Sequence, residues 1–131
     1  MGDLPQMNTD EHGLNAVCEA IIGAAFRVSN ALGSGFLEKV YENALAHELR
    51  KSGFQVAQQF PMKVMYDGMV AGEYLADLLV AGCVIVELKC AKHLEDIHLA
   101  QCLNYLRATG LRRGLILSFY HPKVSVKRIS L

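Results

Sequence analysis

The sequence predicts an α/β protein. A mixed β-sheet is flanked by helices, in the order helix, helix, three strands, helix, strand, strand. Three observations carry this. Apolar residues recur at helical spacing in two stretches before Gly53. Extended segments then follow, punctuated by Asp67-Gly68 and Ala81-Gly82, both natural turns. Last, one helical stretch separates two short apolar strands, which should lie parallel and be joined by a right-handed crossover.

Each element has its own signal. Residues 1–9 read as a flexible lead-in, and Asn8 followed by Glu11 has capping-box spacing. Leu14, Val17, Cys18, Ile21, Ile22, Ala25 and Val28 form one helical stripe, which Gly33 ends. Ser34-Gly35 is the hinge into a second helix, about residues 36–52, whose expected buried stripe is Leu37, Val40, Tyr41, Ala44, Leu45 and Leu49. Arg50-Lys51 suit its C-terminus, and Gly53 closes it. Residues 54–66 alternate imperfectly and read as a strand, with Pro61 marking an edge or bulge. Residues 69–80 return as a second strand with Glu73 facing solvent, and the run ending at Lys89 is the third. Asp96 is the expected N-cap of the third helix, which carries Ile97, Ala100, Leu103 and Leu106 and ends at Gly110. Residues 114–119 are a short buried strand, and residues 124–131 a last one, Val124 and Val126 alternating with Ser125 and Lys127.

A chain of 131 residues, 52% hydrophobic and 20% charged, suits one globular domain, with its core over about residues 33–131. The longest apolar run, Leu78 to Val86, is far short of the roughly 20 residues needed to span a bilayer, so no membrane partner is expected. The N-terminal stretch lacks the marks of a secretory signal. Cys18, Cys83, Cys90 and Cys102 sit in apolar segments without Cys-x-x-Cys spacing and read as reduced thiols of a cytoplasmic protein. No His has partners at zinc spacing, and His98 reads as a capping or surface residue. The formal net charge is zero, which argues against strong non-specific nucleic-acid binding. Asp96 is the last acid, however. Arg107, Arg112, Arg113, Lys123, Lys127 and Arg128 follow it, either a solvated basic edge or a surface for a phosphate backbone.

The chemistry is concentrated between Ala76 and Lys92. A carboxylate in an apolar strand costs several kcal/mol unless compensated. Here Asp77 lies in one such run and Glu87 in the next, with Lys89 on the same face as Glu87. A three-residue loop of Ala81, Gly82 and Cys83 sets Asp77 opposite Glu87, with Cβ atoms roughly 5 Å apart. Like charges so placed repel, and a divalent cation turns that repulsion into binding.

This pattern resembles the metal site of the PD-(D/E)xK nuclease superfamily, in which an Asp and the Glu of Glu-x-Lys hold Mg²⁺ and the Lys sits beside the attacking water. Gly35-Phe36-Leu37-Glu38-Lys39-Val40-Tyr41 reads as Gly-x-x-Glu-x-x-Tyr, and Gln101 to Tyr105 as Gln-x-x-x-Tyr, a motif that follows Glu-x-Lys in RecB-type nucleases. The chain therefore looks like a member of the GxxExxY family, a small branch of that superfamily. The similarity runs from about Gly33 to Arg128. Leu75 departs from it, since Arg is frequent there, and so does Ser118, where Asn is common.

The resemblance implies a restriction-endonuclease-like core and a metal-dependent phosphodiesterase acting on nucleic acid, DNA ahead of RNA. Mg²⁺ or Mn²⁺ would be held by Asp77, Glu87 and the Leu88 carbonyl, with Glu38 reaching it through water. Lys89 would orient the attacking water, and Gln101 would border the metal. Tyr41, Tyr105, Arg107, Arg112 and Arg113 would support the site or contact nucleic acid. Cutting both strands of a duplex makes a homodimer an expectation. The competing reading is a non-catalytic nucleic-acid- or protein-binding module that keeps the fold, favoured by Leu75 and the neutral charge. Metal titration separates the two. A cysteine-based redox enzyme is disfavoured, because no reactive-thiol motif is present.

Overall fold

The apolar stripes of the sequence become three helices packed on a five-stranded sheet in a computed structural model that describes residues 10–131. In chain order these are α1 (Glu11–Leu32), α2 (Glu38–Lys51), β1 (Val56–Tyr66), β2 (Met69–Val80), β3 (Val84–Lys89), α3 (Asp96–Thr109), β4 (Arg113–Ser118) and β5 (Ser125–Ser130). The strands lie side by side in sequence order. β3 and β4 are parallel, as a helical crossover requires, and every other neighbouring pair is antiparallel.

Alternation along the strands divides the sheet between two cores. Leu78, Val80, Val84, Val86 and Leu88 pack with Leu115 and Leu117 under α1 and α2. Leu79, Ile85 and Ile116 face the other way and pack under Cys102, Tyr105 and Leu106 of α3. Each fully buried leucine contributes roughly 1.5–3 kcal/mol relative to exposure. On the second face the fit is close. A Cβ on Gly114 of β4 would stand 2.9 Å from Cys102 Sγ, so this strand position needs glycine for α3 to approach.

Some boundaries and roles differ from expectation. Asn8 lies outside the described residues, and α1 is capped by Asp10, whose Oδ1 accepts from Gly13 N at 2.7 Å. α2 starts at Glu38 because Leu37 is still extended at the cap. Leu37 and Val40 are exposed, 81% and 39%, and not part of the buried stripe. Tyr41, Leu45 and Leu49, at i,i+4 spacing, form the packed face instead. Glu95, not Asp96, caps α3. Its side chain takes the His98 N–H while His98 Nδ1 accepts from Glu95 N at 3.1 Å, so His98 is a capping residue. Pro61 does lie on the edge strand, but the register shift in β1 falls between Val64 and Met65, and the left-handed residue is Gln59 at φ 54°. Among the described residues no helix is long and apolar enough to cross a membrane.

Candidate active site

The site is made where two strands part. The turn Ala81–Cys83 has left-handed Ala81 and Gly82 (φ 55° and 67°) and closes with Cys83 N donating to Val80 O at 3.1 Å. That turn sets the pairs Val80–Val84, Leu79–Ile85 and Leu78–Val86, the register expected of a three-residue loop. The ladder then stops, although β2 stays paired to β1 and β3 to β4. Side chains replace it. Asp77 N donates to Glu87 Oε2 at 2.8 Å, and Leu88 N donates to Asp77 Oδ2 at 2.8 Å. Each acid thus takes a backbone N–H of the opposite strand. Because Leu88 N–H points toward β2, its C=O points to the same edge, into the gap that the acids border.

Glu87 carries the electrostatic strain of the site. Glu87 is 7% exposed, and its carboxyl is pushed up to about 7. Burial is the first cause and the Asp77 charge the second, with a smaller push from Glu38. The Asp77 N–H and the Lys89 ammonium pull the other way. Lys89 forms no ion pair among the described residues. Glu38, in the first turn of α2, accepts from Cys90 N at 3.2 Å, immediately after Lys89. The segment beyond is held by β4: Phe119 N donates to Lys89 O at 2.9 Å, and Ser118 Oγ donates to Ala91 O at 2.8 Å. Ser118 thus braces the stretch that follows Lys89.

A second layer stands behind Asp77, and the sequence reading missed it. Glu42 is 3% exposed on α2 and accepts from Lys39 Nζ at 2.9 Å, Gln58 Nε2 at 2.7 Å and Gln59 Nε2 at 2.7 Å. The Gln59 amide also reaches Asp77 Oδ1 at 3.3 Å. Gln59 lies opposite Asp77, between the pairs Gln58–Leu78 and Phe60–Ala76. The sequence sets Glu42 one helical turn after Glu38 and two adjacent amides in β1, but neither feature says that they meet.

Other expected site residues fall elsewhere. Tyr41 has no exposure, stacks on Phe119 at 4.5 Å, and spends its hydroxyl locally, donating to Gly33 O at 2.7 Å and accepting from Phe36 N at 3.3 Å. Fully buried, it offers no surface to a substrate. It pins the loop that delivers Glu38, and Gly35 supplies the left-handed turn at φ 106° within that loop. Gln101 is exposed on α3, and no hydrogen bond joins it to either acid. Tyr105 is buried beside the site, its hydroxyl pushed up to about 12 by burial first and the Glu87 charge next. Arg107 is exposed and donates to Asn104 Oδ1 at 3.0 Å. Arg112 and Arg113 lie away from the acids. Arg113 pairs with Val84 at the far end of β3, five residues from Lys89 and roughly 16 Å at ~3.3 Å per residue. Its guanidinium is engaged by Glu11.

Among the described residues, no group of three or more His, Cys, Asp or Glu is placed to hold a metal ion. The donor set that remains is two carboxylates, Asp77 and Glu87, with the Leu88 carbonyl. It suits a hard cation that keeps several waters.

The profile of the PD-(D/E)XK nuclease superfamily matches residues 15–129, and the chain belongs to that superfamily. Its mixed sheet and flanking helices have the restriction-endonuclease-like arrangement. Among solved structures it is similar to an alkaline exonuclease, LHK-Exo, from Laribacter hongkongensis, with a TM-score of 0.53 and 15% identity over 95% of this chain and 72% of that one. It is also similar to SSO0001, with a TM-score of 0.51 and 16% identity over 70% of this chain. The match spans half the length of SSO0001. None of the curated proteins compared matches the chain.

Proposed function

We propose that this chain hydrolyses phosphodiester bonds of nucleic acid, DNA ahead of RNA, with Mg²⁺ or Mn²⁺ held by Asp77, Glu87 and the Leu88 carbonyl. The observation that carries the reading is the pair of acids at the parting of β2 and β3, Glu87 buried and Asp77 half-buried, each held by a backbone N–H of the opposite strand. A bound divalent ion would lower the pKa of its water and offset charge on the phosphate. Lys89, free of ion pairs among the described residues, holds its cation beside the acids and stabilises negative charge as it builds on the phosphate oxygens. Glu38 faces the same gap from α2 and acts through water. Gln59 and Glu42 fix the direction of the Asp77 carboxylate. Gln101, exposed on α3, serves as a contact to the substrate and not as a ligand. Cutting both strands of a duplex would take two copies of this site, and a homodimer belongs to the reading.

The test is cleavage of linear, branched and single-stranded DNA with Mg²⁺ or Mn²⁺, by the parent and by Asp77→Ala and Glu87→Gln. Each substitution is expected to lower the rate by at least about a hundredfold. A parent protein that cuts none of these and binds no metal in titration, yet retains nucleic acid, is a binding module and not a nuclease.

A further inference from the structure

α3, the edge strand β1 and its neighbour β2 border a groove of about 690 Å³, a size typical of sites that hold a small organic molecule. Its chemistry is uneven in a telling way. No Asp or Glu lines it, whereas Lys63 from β1 and Arg107 from α3 both do. Neither cation forms an ion pair among the described residues. Two aromatic rings line the groove as well. Tyr74 is 45% exposed and stands 5.6 Å from Tyr105, ring centre to ring centre. Gln101 and Asn104, one turn apart on α3, add amide donors and acceptors. Tyr105 connects the groove to the acids, since its hydroxyl feels the charges of both Glu87 and Asp77.

An exposed ring in a groove that also carries two cations and two amides matches one kind of ligand: a base with a free face and its neighbouring phosphates. A duplex keeps its base faces stacked and offers none, while a single strand offers every one. We infer that this groove takes an unpaired nucleotide of a single-stranded nucleic acid, its base on Tyr74 and its flanking phosphates on Lys63 and Arg107. The inference rests on the nuclease reading for where the strand goes next, past Tyr105 to Asp77 and Glu87. The groove thereby makes a single strand, or the unpaired end of a duplex, the preferred substrate.

Fluorescence anisotropy of a short labelled oligothymidine and of a blunt-ended hairpin, in EDTA, tests this without any cleavage. The single strand should bind more tightly than the hairpin. Tyr74→Ala should weaken single-strand binding by about tenfold, and Tyr74→Trp should retain it. Lys63→Gln and Arg107→Gln should each flatten the salt dependence by about one unit of slope. Equal binding of strand and hairpin, or a Tyr74→Ala protein that binds like the parent, overturns the inference. So does a Tyr74→Ala protein that changes only from dimer to monomer in sedimentation, which makes the groove a contact between copies. Because no metal is present, these outcomes are independent of whether Asp77→Ala abolishes cutting.

Discussion

At the scale of the residue, Glu87 is the group whose ionisation the fold opposes. In the unfolded chain it ionises near 4.5, and in the folded one near 7. Between those values the folded state binds more protons than the unfolded state, so stability falls as pH rises through the window. The full loss approaches about 3 kcal/mol. It is absent below the unfolded pKa and complete above the folded one. Denaturant unfolding of chelated protein should show lower stability at pH 8 than at pH 5. Glu87→Gln, which cannot ionise, should remove most of that slope. A parent stability that does not fall over this range would show that Glu87 ionises without penalty. On the proposed metal reading a divalent ion would compete with the proton for the same oxygens, so added Mn²⁺ should stabilise the parent more at pH 8 than at pH 6.

At the scale of the element, β1 gives up regular backbone at one residue to serve its neighbour. Gln59 holds a left-handed conformation at φ 54°, which costs a residue with a side chain roughly 1–2 kcal/mol. What it gains is an amide that reaches Glu42 and Asp77 together. Gln59→Gly relieves the backbone and loses the amide, while Glu42 keeps Lys39 and Gln58. Thermal stability should therefore change little, while the cleavage rate should fall by about tenfold. An unchanged rate would make Gln59 a packing residue. The same strand shows where reading the sequence ran out. The hairpin register was readable, because turn residues and alternation fix it, and with it the placing of Asp77 across from Glu87. Glu38 was readable from its motif. The role of Glu42 was not, because a glutamate in an amphipathic helix gives no sign of which neighbours it will meet. Nor was Gln59, since glutamine does not favour the left-handed region and the partner that holds it there is seventeen residues away. Arg113 misled for a related reason: nearness in sequence to a basic cluster says nothing about which end of a strand it occupies.

At the scale of the whole molecule, α1 fastens the far side of the sheet. Arg113 and Arg128, part of what the sequence suggested as a basic surface, are engaged by Glu11 and Glu19 of that helix. Such exposed pairs contribute at most about 1 kcal/mol each, so α1 is held chiefly by its apolar face of Leu14, Val17, Ile21 and Val28. The four free thiols report on this assembly. Cys18 and Cys83 lie in the core under α1 and α2, Cys102 in the core under α3, and all three are lifted by burial, Cys102 to about 12. Cys90 is half-buried and is raised by burial first and by Glu38 second. In native buffer at mildly alkaline pH, iodoacetamide should modify Cys90 slowly and the other three hardly at all. The three should then react together as denaturant unfolds the chain, with mass spectrometry following each thiol. If Cys102 reacts well before Cys18 and Cys83, α3 opens as a unit of its own.

The buried turn at Ala81–Cys83 works as a counting device for the gene. Adding or deleting one codon there would leave the composition almost intact and the strand equally apolar. Yet it would rotate every later residue of β3 to the opposite face, presenting Val86 after an insertion, or Leu88 after a deletion, where Glu87 now stands. The exposed tip at Asp67–Gly68 carries no such constraint. Over evolutionary time, length variation should collect at that tip and be purged from this turn.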